Sequence, residues 1–274
     1  MILALLIPNS LRAQESAESI MAKYVAAMGG IDRLKALQSV RCSSHIWING
    51  LEGKMTLTAK WPSSTLMEFE YPHSKLRAAS SGGVAWSEPS AWLERQRLDF
   101  TLPKRFTSNM TVKVEYYRRK VDIKDVFWAT PPATPRGFGY PEDFIFSSLL
   151  AFALNPQKTD IIQYLGLRSE DGSTAHILQL IRSTTDTQEV YFIDPQNFLP
   201  FKVSLESRAG IVKEVRYFGG WYKENQITFN RRAEFYRNGL LYEAHNETGC
   251  LVNPQLGDNI FTAPEAVRKE TKKK

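Results

Sequence analysis

Few side chains in this sequence stand at spacings that support catalysis or metal binding. None of the four histidines has another histidine, a cysteine or a carboxylate at metal-ligand spacing, and the G-x-S-x-G and phosphate-loop motifs are missing. These histidines occupy strand-like or turn-like segments: His45, His73, His176 and His245. We therefore predict no metal, no cofactor and no catalytic residue. A Ser/His/Asp triad stays open, because triads assemble in space rather than along the chain.

Carboxylates and cysteines offer two further possibilities. Glu68 and Glu70 share one face of a candidate strand, so they either belong to a solvent-exposed face or form the carboxylate pair of a glycosidase. Cys42 and Cys250 are too few for a disulfide framework or a four-ligand metal site. They can pair only if the fold brings their Cα atoms within about 7 Å. We expect two separate buried thiols, because each lies in a different strand pattern.

Composition and charge exclude several classes of protein. The chain has 274 residues, 43% of them hydrophobic and 12% aromatic, which is typical of a globular protein with a substantial core. The formal net charge is +6. Much of this excess lies in residues 268–274, which we expect to be a basic, disordered tail, so the nearly neutral remainder does not indicate nucleic-acid binding.

The first residues resemble the end of a secretory signal. Residues 1–13 begin with the apolar run MILALLI, which is far shorter than the ~20 residues that span a bilayer. A small residue, Ala13, precedes a polar stretch, as at a signal cleavage site. We predict a shortened signal peptide at 1–13, export of the protein, and a single domain at 14–267. The alternative is a simple apolar N-terminal segment.

Periodicity changes once along the chain. Residues 15–28 and Ile31–Leu37 have helical spacing, with Gly29-Gly30 ending the first helix. A period of two follows over many short segments joined by Gly, Pro, Asn and Asp turns, which predicts a large antiparallel sheet rather than a parallel α/β fold. Predicted strands are Val40–Asn49, Gly53–Trp61, Thr65–Tyr71, Leu76–Ser80, Val84–Trp86, Val112–Tyr117, Val121–Trp128, Asp160–Arg168, Thr174–Ser183, Glu189–Ile193, Phe201–Glu206, Val212–Trp221, Gln226–Tyr236 and Leu240–Glu247.

Two segments interrupt the strands. Residues 131–143 form a loop rich in Pro and Gly, and such long loops are usually functional or disordered. The apolar segment 144–154 follows directly, and its length is that of a buried or interfacial helix.

Aromatic residues occur on almost every predicted strand. They either fill the core of a flat sheet or small barrel, or line an apolar cavity in a half-closed barrel. Periodicity alone does not separate these two arrangements.

Several short motifs carry a resemblance to a known family. Near the N-terminus stands Tyr24-x-x-Ala27-x-Gly29-Gly30-x-x-x-Leu34-x-x-Leu37-x-Ser39-Val40-Arg41, followed by Lys60-Trp61-Pro62 and by Gly82-Gly83-Val84-Ala85-Trp86. Later come Tyr191-Phe192-Ile193-Asp194-Pro195, Leu199-Pro200-Phe201 and Val252-Asn253-x-x-Leu256-x-Asp258-x-x-Phe261-x-x-Pro264. This pattern is similar to the bacterial outer-membrane lipoprotein-sorting family, the LolA/LolB-like carriers.

The resemblance implies a mainly β (α+β) fold: an unclosed antiparallel β-barrel with helices covering its concave apolar face. Its implied function is a periplasmic carrier that holds a lipoprotein acyl chain or other lipid, without catalysis, a cofactor or a metal. With the aromatics on the strands, it predicts a ligand cavity lined by Trp47, Trp61, Phe69 and Trp86, under a lid made by Phe144, Phe146, Leu149 and Leu150. One alternative is an envelope interaction or stress-sensor module that binds a protein segment, with 131–143 as its contact. Another is an enzyme acting on envelope lipids or glycans.

Overall fold

The computed structural model describes residues 15–48, 51–71, 74–81, 84–89, 97–108, 111–122, 147–154, 160–181, 187–207 and 212–262. Three α-helices and one 3₁₀ helix lie in these ranges: α1 (Ala17–Met28), α2 (Ile31–Lys35), α3 (Ser148–Leu154) and the 3₁₀ helix Asp258–Phe261. None of the helices in the described ranges has the length and apolar character needed to span a membrane. The predictions for residues 1–13, 131–143 and 268–274 concern segments outside the described residues.

Fourteen strands make up the rest of the described chain. The first seven are β1 (Ser39–Ile48), β2 (Leu51–Lys60), β3 (Ser64–Tyr71), β4 (Ser74–Ser81), β5 (Val84–Pro89), β6 (Arg97–Ser108) and β7 (Thr111–Asp122). The others are β8 (Ile161–Glu170), β9 (Ser173–Ile181), β10 (Thr187–Ile193), β11 (Pro200–Ser207), β12 (Val212–Glu224), β13 (Ile227–Arg237) and β14 (Leu240–Val252). Strands β6 and β7 pair with each other as a separate hairpin.

One sheet of 12 strands holds the remaining elements, in the order β5-β4-β3-β2-β1-β14-β13-β12-β11-β10-β9-β8. Neighbours in this sheet are consecutive in the chain except at one place, where β1 lies beside β14. We call the β1/β14 pair the seam, because it joins two meanders, β1–β5 and β8–β14. All pairs are antiparallel and the sheet does not close on itself, so the predicted unclosed antiparallel β-barrel is confirmed.

The two cysteines meet at the seam. Cys42 of β1 and Cys250 of β14 are directly opposite each other, with their Cα atoms 4.0 Å apart, and they form a disulfide bond. Our expectation of two separate thiols was wrong. The pairing of the first and last strands places side by side two residues that are 208 positions apart in the chain.

The helices cover one face of the sheet, which we call the inner face. Helix α1 begins after Ser16, whose Oγ accepts a hydrogen bond from the Ser19 amide at 3.2 Å. Its apolar side packs on the sheet together with α2 and α3 in one core cluster. Fully buried members of this cluster are Ile20, Tyr24, Met28, Leu34, Val40, Leu149, Leu150, Leu178, Leu180, Tyr191, Ile193 and Ile227. The predicted position of the helices, over an apolar face, is confirmed.

Gly29 ends α1 and lets it approach the sheet. Its φ is +134°, a backbone conformation that residues other than glycine rarely adopt. A Cβ atom at this position would lie 2.7 Å from the carbonyl oxygen of Gln226, at the turn between β12 and β13. The helix is fixed there by a second contact, in which Thr228 Oγ1 donates to the Ala27 carbonyl at 2.7 Å. Glycine is therefore required for this close packing.

The predicted elements differ from the observed ones mainly around residues 97–122. No strand was predicted at Arg97–Ser108, where β6 lies. Strand β7 contains the predicted strand Val112–Tyr117 and the first two residues of Val121–Trp128, whose other residues fall outside the described ranges. In β6, Lys104 interrupts the alternation of Leu98, Phe100, Leu102 and Phe106. In β7, Arg118 and Lys120 end the alternation of Val112, Val114 and Tyr116, so a period of two extends over only part of each strand.

Candidate functional site

A cavity of about 280 Å³ lies on the inner face, between the sheet and the helices. Its apolar lining comes from α1 and from strands on both sides of the seam. These residues include Met28, Met55, Leu57, Val203, Leu205, Val215, Tyr217, Trp221, Phe229 and Phe235. A concave, mainly apolar lining is typical of ligand-binding cavities in proteins.

Tyr191 lines the cavity and connects the sheet to α3. Its hydroxyl donates to the Glu189 carboxylate and accepts a hydrogen bond from the Leu149 amide at 3.1 Å, so it joins strand β10 to the start of α3. Burial raises the pKa of Tyr191 well above its ordinary value, and the Glu189 charge raises it further. Both residues are almost fully buried, at 1% and 5% exposure. The phenol therefore stays protonated and the contact to α3 is kept.

A second tyrosine ties α3 to α1. The Tyr24 hydroxyl lies 3.0 Å from Ser147 Oγ, and Ser147 also accepts the Leu150 amide at 3.2 Å. Ser147 and Ser148 border the cavity. The N-terminal end of α3 is therefore held by hydrogen bonds from two directions at the edge of the cavity.

Polar groups from the seam form another part of the lining. Glu247 accepts hydrogen bonds from Ser44 Oγ at 3.2 Å and from the Gly249 amide at 3.0 Å. Burial raises the pKa of the Glu247 carboxyl, although these hydrogen bonds act in the opposite direction. Cys42 and His245 line the cavity beside it. The seam thus exposes a carboxyl group, an imidazole and a disulfide sulfur to the cavity.

Aromatic rings and a guanidinium complete the wall on β12 and β13. The rings of Tyr217 and Trp221 pack with centroids 5.4 Å apart. Arg231 lines the cavity and places its guanidinium carbon 4.8 Å from the ring centre of Tyr222. The Arg231 side chain is exposed, so it supplies a positive charge where the cavity meets solvent.

Comparison with known protein structures identifies the fold of this chain. No protein-family model and no curated protein sequence matches the chain. A DUF1329-family protein from Desulfovibrio piger superposes with a TM-score of 0.54 and 13% identity, over 92% of this chain and 98% of that one. A LolA-superfamily protein from Nitrosomonas europaea does so with a TM-score of 0.52 and 14% identity, over 91% and 98%. The chain has a LolA-like fold. A domain from Vibrio parahaemolyticus, described as belonging to an outer-membrane lipoprotein-sorting protein, is also similar, with a TM-score of 0.50, 13% identity and coverage of 90% and 96%.

The four aromatic residues predicted to line the LolA-like cavity lie at different places. Trp47 alternates with Ile46 and Ile48, so it points to the outer face, away from the cavity-lining Cys42 and Ser44 of the same strand. Trp61 follows β2 and packs against the edge of the core cluster, and its amide donates to the Gln38 carbonyl at 2.9 Å.

The other two aromatics lie farther along the same half of the sheet. Phe69 is opposite Met55 in the β2/β3 register, so it shares the inner face with a cavity-lining residue. Trp86 lies in β5 opposite Ala79, and its side chain falls outside the described residues.

The predicted lid is described in part. Leu149 and Leu150 are fully buried in the core cluster, on the helix whose first residues border the cavity. Phe144 and Phe146 fall outside the described residues.

Sequence reasoning missed the polar residues of the site. Glu189 and Glu247 were not singled out, since a lone carboxylate in a strand gives no signal of its position. Tyr191 stood among the strand aromatics, but its contact with α3 depends on two elements that are distant in the chain. Alternation along β10, which places Glu189, Tyr191 and Ile193 on one face, was the available signal.

Two possibilities raised from the sequence have a structural answer. Glu68 and Glu70 lie on the outer face and form ion pairs, with Arg77 Nε at 3.2 Å and Lys75 Nζ at 2.8 Å respectively. They belong to the solvent-facing side of β3. Glu247 Oε and the two cysteine sulfurs lie within 4.8 Å of one another, but both sulfurs are in the disulfide. Metals bind the thiolate, so we assign no metal to this group.

Proposed function

We propose that this protein is a periplasmic carrier that holds an acyl chain or another lipid in the cavity on the inner face of the sheet. One observation supports this above all: among the described residues, the inner face of the open sheet, beside α1 and α3, carries a solvent-accessible cavity with a mainly apolar lining. The signal-like N-terminus supports export. The lipoprotein-sorting description of the Vibrio parahaemolyticus domain supports the class of ligand.

The size of the cavity sets the size of its ligand. A methylene group is close in size to a water molecule, which occupies about 30 Å³, so about nine such groups fill the 280 Å³ cavity. At ~0.8 kcal/mol for each buried methylene, such a chain gains about 7 kcal/mol. That free energy corresponds to a dissociation constant on the order of 10 μM.

A longer or branched lipid requires movement of the helices. In our proposal α3 is part of the lid, with Leu149 and Leu150 facing the core and Phe144 and Phe146 preceding them in the chain. Phe69, on the inner face beside Met55, extends the apolar surface that a longer chain would contact. Trp61, packed at the edge of the core cluster, and Trp86 in β5 stay part of this proposal. Trp47, on the outer face, is not expected to contact ligand.

The experiment begins with protein purified from periplasm. Native mass spectrometry with lipid extraction should detect a bound phospholipid, fatty acid or acylated peptide, and a fluorescent fatty acid should bind to the emptied protein. Ala233→Leu adds bulk to a small residue of the cavity wall and should weaken fatty-acid binding at least tenfold. Ser43→Leu, on the exposed outer face of β1, and Trp47→Ala should bind as the unmodified chain does.

Two results would contradict the carrier proposal. One is an empty protein that takes up no fatty acid. The other is a stoichiometric protein partner without extractable lipid, which would instead favour binding of a protein segment on the same face.

A further inference from the structure

The carboxyl group of Glu247 lies beside the disulfide at the seam, and a purely structural disulfide does not need such a group. A carboxylate oxygen of Glu247 and the sulfurs of Cys42 and Cys250 all lie within 4.8 Å of one another. Two hydrogen bonds, from Ser44 and Gly249, hold that carboxylate in place. The group therefore contains a disulfide and a positioned acid–base residue.

The same group is reached through the cavity. Cys42 and Glu247 both line it, although the two cysteines are only 6% and 5% exposed. A ligand inside the cavity thus contacts Cys42 directly, whereas bulk solvent reaches neither sulfur freely.

We propose that Cys42, Cys250 and Glu247 form a thiol–disulfide exchange site, which reacts with a small dithiol ligand that enters the cavity. This activity goes beyond the carrier function and needs only access to the cavity. Glu247 acts as the general acid–base residue, and Ser44 is a positioning residue that holds its carboxylate.

The reaction balances within the site. A thiol of the ligand gives its proton to the Glu247 carboxylate, and its sulfur attacks Cys42 Sγ. The Cys42–Cys250 bond breaks, and Cys250 leaves as a thiolate that takes this proton from Glu247. The second ligand thiol then attacks the ligand sulfur of the mixed disulfide and passes its proton to Cys42. The ligand is oxidised to a disulfide, and the protein disulfide is reduced to two thiols.

The charge state of Glu247 suits this role. Thiolates react and thiols do not, so a proton must be removed before the attack and returned after it. Burial raises the pKa of the Glu247 carboxyl, which brings it closer to that of a thiol and favours proton transfer between the two groups. The neighbouring groups that face it in the described chain are Ser44, Gly249 and His245, together with Tyr222 of β12, which interacts electrostatically with Glu247.

The test measures disulfide reduction in the folded, full-length oxidised chain. Dithiothreitol is added under native conditions, free thiols are trapped with an alkylating reagent at set times, and the mass increase gives the rate. Glu247→Gln should slow the reaction at least tenfold, since a positioned acid–base group contributes about 10²-fold or more. Glu52→Gln, an exposed carboxylate of β2, should react at the unmodified rate. Circular dichroism in the same buffer confirms that each variant is folded.

Two further measurements separate exchange from slow unfolding. Ser44→Ala keeps the carboxyl group and loses one of its hydrogen bonds, so it should lower the rate less than Glu247→Gln does; it also serves if Glu247→Gln does not fold. Decanoic acid, whose chain length matches the cavity volume, should slow reduction of the unmodified chain at concentrations at which the separate binding assay shows it bound.

The proposal is overturned if the disulfide is reduced only as fast as the chain unfolds globally, or if both Glu247 and Ser44 variants react at the unmodified rate. Fatty-acid binding by the oxidised chain is measured separately, so failure of the carrier function is distinguished from failure of the exchange site.

Discussion

The hydroxyl of Tyr191 offers a sharp test of how the helices are held over the sheet. Tyr191→Phe keeps the buried ring and removes a hydroxyl that links β10 to the start of α3. The Leu149 amide then loses its acceptor, and the Glu189 carboxylate loses a donor, both at buried positions.

The expected cost follows from these two contacts. A hydrogen bond to a charged acceptor contributes about 1.5–3 kcal/mol, and a buried amide without a partner costs about 1–3 kcal/mol. Together they predict a loss of about 4 kcal/mol in the free energy of unfolding. At about 2–4 °C per kcal/mol for a protein of this size, the melting temperature should fall by roughly 10 °C.

A second tyrosine provides the matched control. Tyr236 also donates to a carboxylate two residues earlier, Glu234, but this acceptor is paired with Arg232 as well. Tyr236→Phe should therefore cost only about 1 kcal/mol.

Calorimetry gives both melting temperatures, and hydrogen exchange localises the effect. In Tyr191→Phe the amides of α3 should lose protection while those of β10 keep it. If the two variants melt within 2 °C of each other and α3 exchanges as before, the tyrosine does not anchor the helix.

Three further perturbations test other parts of the structure. The double substitution Cys42→Ala/Cys250→Ala removes a crosslink between residues separated by 208 positions. The entropy of loop closure predicts a loss of up to about 5 kcal/mol in the free energy of unfolding, measured by chemical denaturation. Two titratable thiols in the oxidised, denatured chain would contradict the pairing. The raised pKa of Glu247 means that the folded state binds its proton more tightly than the unfolded state, so its contribution to stability is present below about pH 4.5 and is lost as pH rises through the folded pKa. Relative to the unmodified chain, Glu247→Gln should thus gain melting temperature between pH 4 and pH 7, and a constant difference would refute the raised pKa. Gly29→Ala should destabilise more than Gly30→Ala: both glycines have positive φ, costing about 1–3 kcal/mol, but only Gly29 also meets the Gln226 carbonyl. Equal urea midpoints for the two variants would show that the contact is relaxed.

Local pattern was sufficient to predict most of the strands and the first helices. Turn residues and a period of two marked β1–β5 and β8–β14, because one face of each strand meets the core and the other meets solvent. In β6 the signal is weaker, because Lys104 interrupts the alternation of Leu98, Phe100, Leu102 and Phe106 and because Pro103 is unusual inside a strand. The predicted and observed ends of a strand differ by a few residues where the strand extends beyond its alternating segment, as at the C-terminal end of β14.

The site was less predictable because it depends on register and on contacts between distant elements. A shift of one residue moves a strand side chain to the other face, and the sequence gives no register between neighbours. Trp47 therefore looked as suitable a cavity residue as Phe229, although only Phe229 faces inward. The Cys42–Cys250 bond and the Tyr191–Leu149 contact join segments far apart in the chain, and only the fold brings them together.

The seam also has a consequence for the order of folding. Each meander consists of hairpins between consecutive strands, which form quickly because little chain has to be closed. The β1/β14 pair instead brings together Val40 and Val252, from opposite ends of the domain, and pays the largest entropy of loop closure in the described sheet. We expect the two halves to form first and to dock at the seam last, so stopped-flow measurements should find that Val40→Ala accelerates unfolding with little effect on the folding rate. If Val40→Ala instead slows folding in proportion to the stability that it loses, the seam is part of the folding nucleus. In a cell, this order would leave both seam strands as open edges until the whole domain has been synthesised, which makes the late-folding centre of the sheet its most aggregation-prone part.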